Sequence, residues 1–328
     1  VALHTPKIPW LTLGAGFQYS FLRANEGLAV SAITDPDGSS GSAEPLYSDE
    51  QKSHVVLQLE TWDKFKLGWN AGITIKPVSW LMLGASVQPQ SDYEAEGTLG
   101  VEFNKDHFFN QFLLESTAED PDVLLKITIP WVIRTGAQVM PNEKIRIEGD
   151  FIWTNWKKIQ QLTVTNVDLL LKTKDSLMDL EDITITDDVL IPTGFENAWS
   201  VRVGGDWQVR DWVRVSLGSY YESSAVPTKL QGVSVVDSSK WGLGAGGTFN
   251  VGKHWAFDAS FGEQFLADRT IKDSELRQIT LQINPVDTAD AVVGQGLVVG
   301  NGEFTSRLTF AAIGVSYFFG DPHPTGTR

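Results

Sequence analysis

A short turn followed by a long two-faced strand recurs along this sequence. The turn is polar or marked by proline, and the strand after it alternates bulky apolar residues with glycine, serine, threonine or a charge. A period of two with one oily face and one small or polar face predicts up-and-down antiparallel hairpins. Four copies are KIPWLTLGAGFQYS (7–20), KPVSWLMLGASVQP (76–89), VRDWVRVSLGSYYE (209–222) and VGKHWAFDASFGEQF (251–265).

The lengths of the connections favour a membrane barrel. Tight joins alternate with mostly long connections, as the short periplasmic turns and long external loops of outer-membrane barrels do. We therefore predict an all-β fold, a transmembrane antiparallel up-and-down β-barrel over residues 1–320 with a tail at 321–328; a long-looped soluble sandwich is the alternative. The ten predicted strands are approximately 9–23, 53–77, 79–103, 123–140, 143–166, 197–210, 211–225, 236–251, 253–268 and 305–319, and the long external loops are 24–52, 104–122, 167–196 and 269–304.

The spacing of aromatic residues also favours lipid on the oily face. Trp199 and Trp207 lie eight residues apart on one face, as do Trp241 and Phe249. Eight residues at ~3.3 Å each in a strand tilted by ~40° cover roughly 20 Å, close to the apolar band between two aromatic girdles. The alternative is that these rings fill the core of a sandwich. Three more tryptophans fall at the turns and are predicted interfacial anchors: Trp10, Trp80 and Trp212.

Composition excludes some classes of protein. The formal net charge of −15 argues against binding to nucleic acid, and the absence of cysteine excludes disulfides and thiolate metal sites. No run approaches the ~18 apolar residues of a membrane-spanning helix. The chain begins at Val1 without an initiator methionine or a signal peptide, as expected of a mature form or a truncated segment.

Other motifs do not predict a cofactor, a metal ion or catalysis. Residues 242–247 spell G-x-G-x-x-G, but a strand and a tight turn follow where a dinucleotide site needs a helix. The acidic segment 179–188 does not have the spacing of an EF-hand, so a solvated surface is the favoured interpretation and calcium binding the alternative. The five histidines are scattered without metal-ligand spacing, and no nucleophile–base constellation is evident.

Several segments, in order, resemble the FadL/TodX family of outer-membrane transporters of long-chain fatty acids and other hydrophobic compounds. The resemblance covers most of residues 9–319 and includes a W-T-x-W run at 153–156 and a Y-x-x-S-x-V-P run at 221–227. The terminal aromatic of SRLTFAAIGVSYFF resembles the signal read by the barrel assembly machinery. The matching stretches are 68–103, 129–164, 199–229, 239–271 and 306–319.

The resemblance implies a function and exposes two differences. It implies passive transport of hydrophobic small molecules such as long-chain fatty acids, in contact with outer-membrane lipid and lipopolysaccharide. The family barrel has fourteen strands and a plug with an Asn-Pro-Ala motif, which is not found here, so the predicted strands correspond to the last ten. The chain is then a fragment, or the remainder lies on another chain, or a smaller barrel closes without a plug. The tail after Phe319 also departs from the family.

Two sets of side chains are candidate ligand-binding residues. In the family, the groove between the loops that correspond to 24–52 and 104–122 captures hydrophobic substrate, and the apolar cluster HFFNQFLLES is the expected capture surface; its alternative role is to pack the loop onto the barrel rim. Arginines on the predicted lumen face are candidate partners for a substrate carboxylate. Pairing of most lumen charges with each other is the favoured interpretation. The candidates are Phe108, Phe109, Phe112, Leu113, Arg134, Arg146, Arg202 and Arg214.

Two other classes of function remain as alternatives to hydrophobic transport. One is a general diffusion porin or a structural or adhesive outer-membrane barrel. The other is an outer-membrane enzyme, which needs an active-site cluster that the sequence does not provide.

Overall fold

A computed structural model describes residues 2–4, 8–33, 54–103, 123–171, 183–283 and 291–319. These residues form β-strands joined by turns, with two short 3-10 turns at Trp156–Lys158 and Thr228–Leu230. Within the described ranges, no helix has the length and apolar character needed to cross a bilayer.

Twenty-one strands are described, and most of them belong to one sheet. They are β1 (Ala2–His4), β2 (Leu11–Ile33), β3 (His54–Val78), β4 (Leu81–Gln88), β5 (Ser91–Phe103), β6 (Val123–Ile129), β7 (Val132–Asn142), β8 (Ile145–Thr154), β9 (Gln161–Thr165), β10 (Leu169–Leu171), β11 (Ile183–Ile185), β12 (Val189–Pro192), β13 (Ala198–Arg210), β14 (Val213–Glu222), β15 (Lys240–Val251), β16 (Trp255–Leu266), β17 (Arg269–Ile271), β18 (Arg277–Ile283), β19 (Ala291–Val298), β20 (Gly302–Phe304) and β21 (Arg307–Tyr317).

The sheet is a long antiparallel meander in two tiers. The membrane tier consists of the lower halves of β2 and β3 followed by β4, β7, β8, β13, β14, β15, β16 and β21, each paired with the next. The upper tier consists of the upper halves of β2 and β3 followed by β5, β6, β9 and β12. The tight turns lie at the lower end. The pairings show that all ten predicted strands are present and confirm the antiparallel prediction.

Three predicted strands are divided, and this corrects the sequence analysis. The strands predicted at 79–103, 123–140 and 143–166 each break at the boundary between the tiers. Pro89 and Pro130 lie at two of these breaks, where a missing N–H cannot continue the ladder. The first strand also runs on to Ile33 instead of ending near residue 23, and the segments predicted as loops 167–196 and 269–304 contain short strands.

The oily face of the membrane tier points away from the lumen. Leu217 is 69% and Ile313 is 91% exposed on this face, as a lipid-facing surface requires. Phe265 and Trp255 lie ten residues apart on β16; at ~3.3 Å per residue and ~40° of tilt they span about 25 Å, the height of an apolar band. The predicted anchors Trp10, Trp80 and Trp212 lie exposed at the lower turns.

The upper tier encloses an apolar core. Ala95 and Val123 are fully buried there, and Ile185 of β11 belongs to the same cluster. The partly buried Leu22 of β2 packs against this core. Because β2 keeps its alternation throughout, Leu22 lies on the same face as the lumen-facing residues of its lower half. The core therefore lies on the same side of the sheet as the lumen. The apolar face of β5 and β6 is therefore turned inward, opposite to that of β4 and β7.

The two ends of the meander are not paired with each other. Among the residues described, β21 pairs with β16 alone, and β2 pairs with β1 and, in parallel, with β18 as well as with β3. The wall described for this chain is thus an arc that begins at β2 and ends at β21.

Candidate functional site

A belt of glycines crosses the lumen face of the membrane tier. Gly204, Gly218, Gly244 and Gly262 are register partners on four adjacent strands, β13 to β16. Because none of them carries a side chain, the wall has a shallow trough at this level. A cavity of about 1040 Å³ lies against it.

Apolar side chains lie at one end of this belt. Phe310 of β21 is the register partner of Gly262, and Leu308 is the partner of Gln264 in the row above. They are 53% and 40% exposed on the lumen face. Neither residue was a candidate from the sequence, because neither follows the alternation of its strand.

Below the belt, arginines on the two strands that flank β13 share one carboxylate. Nε of Arg146 on β8 donates to Oδ2 of Asp206 on β13 at 2.7 Å, and Nε of Arg214 on β14 lies 3.5 Å from Oδ1 of the same residue. Arg214 also donates to Gln208 at 3.0 Å. Two of the four candidate arginines are therefore paired with protein groups.

Above the belt, a chain of ion pairs runs from the wall into an external loop. Arg202 lies 3.6 Å from Glu222, Glu222 lies 3.1 Å from Nζ of Lys240, and Lys240 lies 2.6 Å from Oδ1 of Asp237. The other oxygen of Asp237 accepts hydrogen bonds from the backbone N–H of Ala225 and the hydroxyl of Ser224. This network anchors the loop between β14 and β15.

Burial and hydrogen bonding shift the pKa values of two charged side chains in this region, Asp237 and Arg269. Burial raises the pKa of the Asp237 carboxyl, but hydrogen bonds from Lys240, Ala225 and Ser224 outweigh it and leave the pKa below its ordinary value. Burial lowers the pKa of the Arg269 guanidinium, which donates to Val226 and to the buried Gln231.

Arg134 differs from the other three candidate arginines. It faces the lumen from β7 beside a cavity of about 480 Å³ that Glu148 and Asp150 also line. Within the described ranges, no carboxylate lies within ion-pair distance of it. It is thus the candidate arginine whose charge is open to a ligand.

The predicted capture surface lies outside the described residues. Phe108, Phe109, Phe112 and Leu113 fall in the segment 104–122, and the acidic segment 179–188 is described only from residue 183. In the part of the chain that is described, no group of three or more histidines or carboxylates is arranged to hold a metal ion.

The structure adds a feature that the sequence did not indicate, a gap in the wall beside β3. Pairing with β5 ends at Trp62–Glu96, and pairing with β4 begins at Ala71–Val87. Residues 63–70 and 88–95, all of them described, have no backbone pairing across this gap. On the β3 side the strand remains paired with β2. On the other side, β4 remains paired with β7 and β5 with β6.

A wall with an outward apolar band, girdle aromatics and a charged, glycine-lined inner face defines an outer-membrane barrel of a transport type. The family model described as "Outer membrane protein transport protein (OMPP1/FadL/TodX)" matches residues 9–299. The chain therefore belongs to this family and is an outer-membrane protein, as the resemblance predicted.

Solved structures agree with this assignment at the level of fold. A Pseudomonas aeruginosa FadL homologue matches with a TM-score of 0.56 and 17% identity, over 93% of this chain and 62% of that one. The Pseudomonas putida toluene transporter TodX matches with a TM-score of 0.52 and 14% identity, over 96% of this chain and 66% of that one. This chain thus spans somewhat less than two thirds of these relatives. No curated protein matches the sequence.

Proposed function

We propose that this protein carries hydrophobic small molecules, such as long-chain fatty acids, passively across the outer membrane. The observation that carries the proposal is the exposed apolar pair Leu308 and Phe310 on the lumen face, beside the glycine belt. Apolar side chains exposed toward a lumen offer contact to an apolar ligand. Membership of the transport family and the toluene transporter among the similar structures support the same class of substrate.

The proposed path has a capture step and a lumen step. Phe108, Phe109, Phe112 and Leu113 take up the apolar tail outside the barrel, where each buried methylene contributes about 0.8 kcal/mol. The ligand then moves along the trough, and Arg134 is the arginine available to a carboxylate head. Arg146, Arg202 and Arg214 have the structural role of pairing lumen charges. The path requires no cofactor and no catalytic residue.

The capture step is tested with Phe109→Asp combined with Phe112→Asp. Uptake of a fluorescent long-chain fatty acid by cells is expected to fall about tenfold, since losing contact equivalent to two methylenes already removes roughly 1.6 kcal/mol. Asn110→Asp combined with Gln111→Glu is the matched control, because it adds the same two charges to the same segment without removing a ring. Equal uptake by the two double variants would remove the capture surface from the proposal.

A general diffusion porin is the second candidate function, because the ion pairs around Asp206 and Glu222 make much of the lumen face polar. Liposome swelling separates the two functions. A porin passes small sugars and amino acids at rates set by their size, whereas the proposed transporter gives no swelling with them and still binds fatty acid. Swelling without fatty-acid binding would favour the porin.

A further inference from the structure

The gap beside β3 interrupts two strands that otherwise keep a single register. Trp62 and Ala71 are nine positions apart on β3, and their partners Glu96 and Val87 are also nine positions apart. The strands therefore separate and rejoin without slipping. Eight residues on each side, 63–70 and 88–95, face each other across a slit in the wall.

At the upper end of this slit, side chains satisfy three backbone groups. Oδ2 of Asp63 accepts the backbone N–H of Glu94 at 3.3 Å, and Oδ1 accepts that of Phe65 at 3.2 Å. The hydroxyl of Tyr19 donates to the carbonyl of Lys64 at 2.6 Å. The upper end of the slit is therefore held by side-chain hydrogen bonds.

The two mouths of the slit differ in chemistry. Phe65, Leu67 and Trp69 are 62%, 65% and 45% exposed on the outward face. Trp69 lies ten residues above the turn at 79, the length of strand that separates the two aromatic girdles on β16. The outer mouth therefore opens at the level of the outer membrane–water interface. Its β3 edge carries these apolar side chains, and its β5 edge carries the exposed side chains of Asp92 and Glu94.

A cation and two hydroxyls face the inner mouth. The side chain of Tyr93 crosses the slit and reaches β2, where its hydroxyl lies 2.8 Å from that of Ser20. Nζ of Lys66 lies 5.9 Å from the centre of the Tyr93 ring. Among the residues described, Lys66 has no carboxylate within ion-pair distance, so its charge is available to a ligand.

We propose that the slit is a binding site for a single-chain amphiphile, with its ionised carboxylate on Lys66 and the hydroxyls of Tyr93 and Ser20 and its tail against Phe65, Leu67 and Trp69. The cation on the inner side suits the carboxylate, and the apolar side chains along the β3 edge suit the tail. This inference rests on the proposed function and assigns it a headgroup site at the interface, separate from Arg134 in the lumen.

The test compares two ligands with the same tail, decanoate and decanol, at about pH 8, where the carboxyl is ionised. Their affinities for the purified full chain are measured by calorimetry in one nonionic detergent. The detergent then competes equally with both ligands for the apolar part of the site, and its effect cancels in the ratio of the two affinities. Wild type is expected to prefer decanoate. Lys66→Gln is expected to reduce this preference by about threefold to tenfold, the effect of losing one partly exposed charged contact, whereas Lys66→Arg retains it.

Three further variants keep the result interpretable. Lys64→Gln removes a cation of the same strand that lies over Trp62, and it is expected to leave the preference unchanged. Tyr93→Phe is expected to reduce the preference less than Lys66→Gln does. An unchanged preference in Lys66→Gln, with its loss in Arg134→Gln, would overturn the slit site and leave the proposed transport intact. Failure of wild type to bind either ligand would overturn the proposed function as well.

Discussion

Asp237 shows how one carboxylate holds an external loop onto the wall. It accepts hydrogen bonds from Ala225, Ser224 and Lys240, and Lys240 in turn contacts Glu222. The neighbouring Arg269 interacts through space with Asp237 and with Glu196. The loop between β14 and β15 is thus attached at both of its ends through a single residue.

This attachment is expected to depend on pH. Because folding lowers the pKa of Asp237 below its ordinary value of 3.8, its contribution is fully present above that pH and is lost as the pH falls through the lower folded value. Backbone hydrogen exchange in residues 223–239, corrected for intrinsic rates, should therefore increase below about pH 4.

Two variants check the assignment of this pH dependence. Asp237→Asn should show fast exchange already at neutral pH and no acid step. Asp273→Asn removes an exposed carboxylate of the segment between β17 and β18, which lies 3.6 Å from Lys229 of the measured loop. It should behave as wild type, because an exposed ion pair contributes little. An acid step that survives in Asp237→Asn would assign the effect to another group.

The lumen arginines show what can be inferred at the scale of single residues. Their position on one face follows from alternation, and mutual pairing was the favoured interpretation for most of them. Which partner each one takes depends on strand register, and Arg146 and Asp206 are 60 residues apart in sequence. The same register leaves Arg134 without a partner among the described residues, which no spacing in the sequence indicates.

At the scale of elements, the breaks in β4–β5, β6–β7 and β8–β9 align at one level and divide the wall into two tiers. The bulge in β3, where Lys64 and Phe65 oppose Phe21, reverses the faces of that strand at the same boundary. An apolar face that points to lipid below therefore points to a core above. The sequence contains Pro89 and Pro130, but the reversal is visible only once the strands are paired.

Close contact between β3 and β5 above the slit depends on Gly97. A Cβ at this position would lie 2.6 Å from Cα of Thr61, closer than side chains allow, whereas a Cβ at Gly100 of the same strand meets nothing within 4 Å. Gly97→Ala should therefore lower the free energy of unfolding by about 1–3 kcal/mol through overpacking.

The matched variant for this prediction is Gly100→Ala, which should be neutral or slightly stabilising. Urea unfolding in lipid vesicles measures the free energies, and hydrogen exchange in β3 and β5 locates the effect. Equal stability of the two variants would show that β3 and β5 do not approach as closely as described.

At the scale of the whole molecule, the two faces of the membrane tier meet different solvents. Leu217 and Ser216 are adjacent on β14 and both are exposed in the isolated chain, yet they point to opposite faces. Leu217 lies between the aromatic girdles on the lipid side, and Ser216 is the register partner of Asp206 on the lumen side.

Arginine placed at these two positions should distinguish lipid from lumen. Leu217→Arg should reduce the free energy of folding into vesicles by about 2–4 kcal/mol, the effect of a charge near the bilayer midplane. Ser216→Arg should cost much less, because its guanidinium lies in the lumen beside Asp206. Similar losses for both variants, measured by urea titration of folding into vesicles, would contradict the assignment of the faces.

The antiparallel sheet, the ten strands of the membrane tier, the outward oily face and the family resemblance all followed from residues that are neighbours in sequence. Alternation has a period of two and is written within each strand, so a single strand is enough to reveal it. The break into two tiers, the partners of the lumen arginines and the slit beside Lys66 depend on contacts between distant strands. They became visible only in the folded chain, because register and backbone pairing join residues that no local pattern connects.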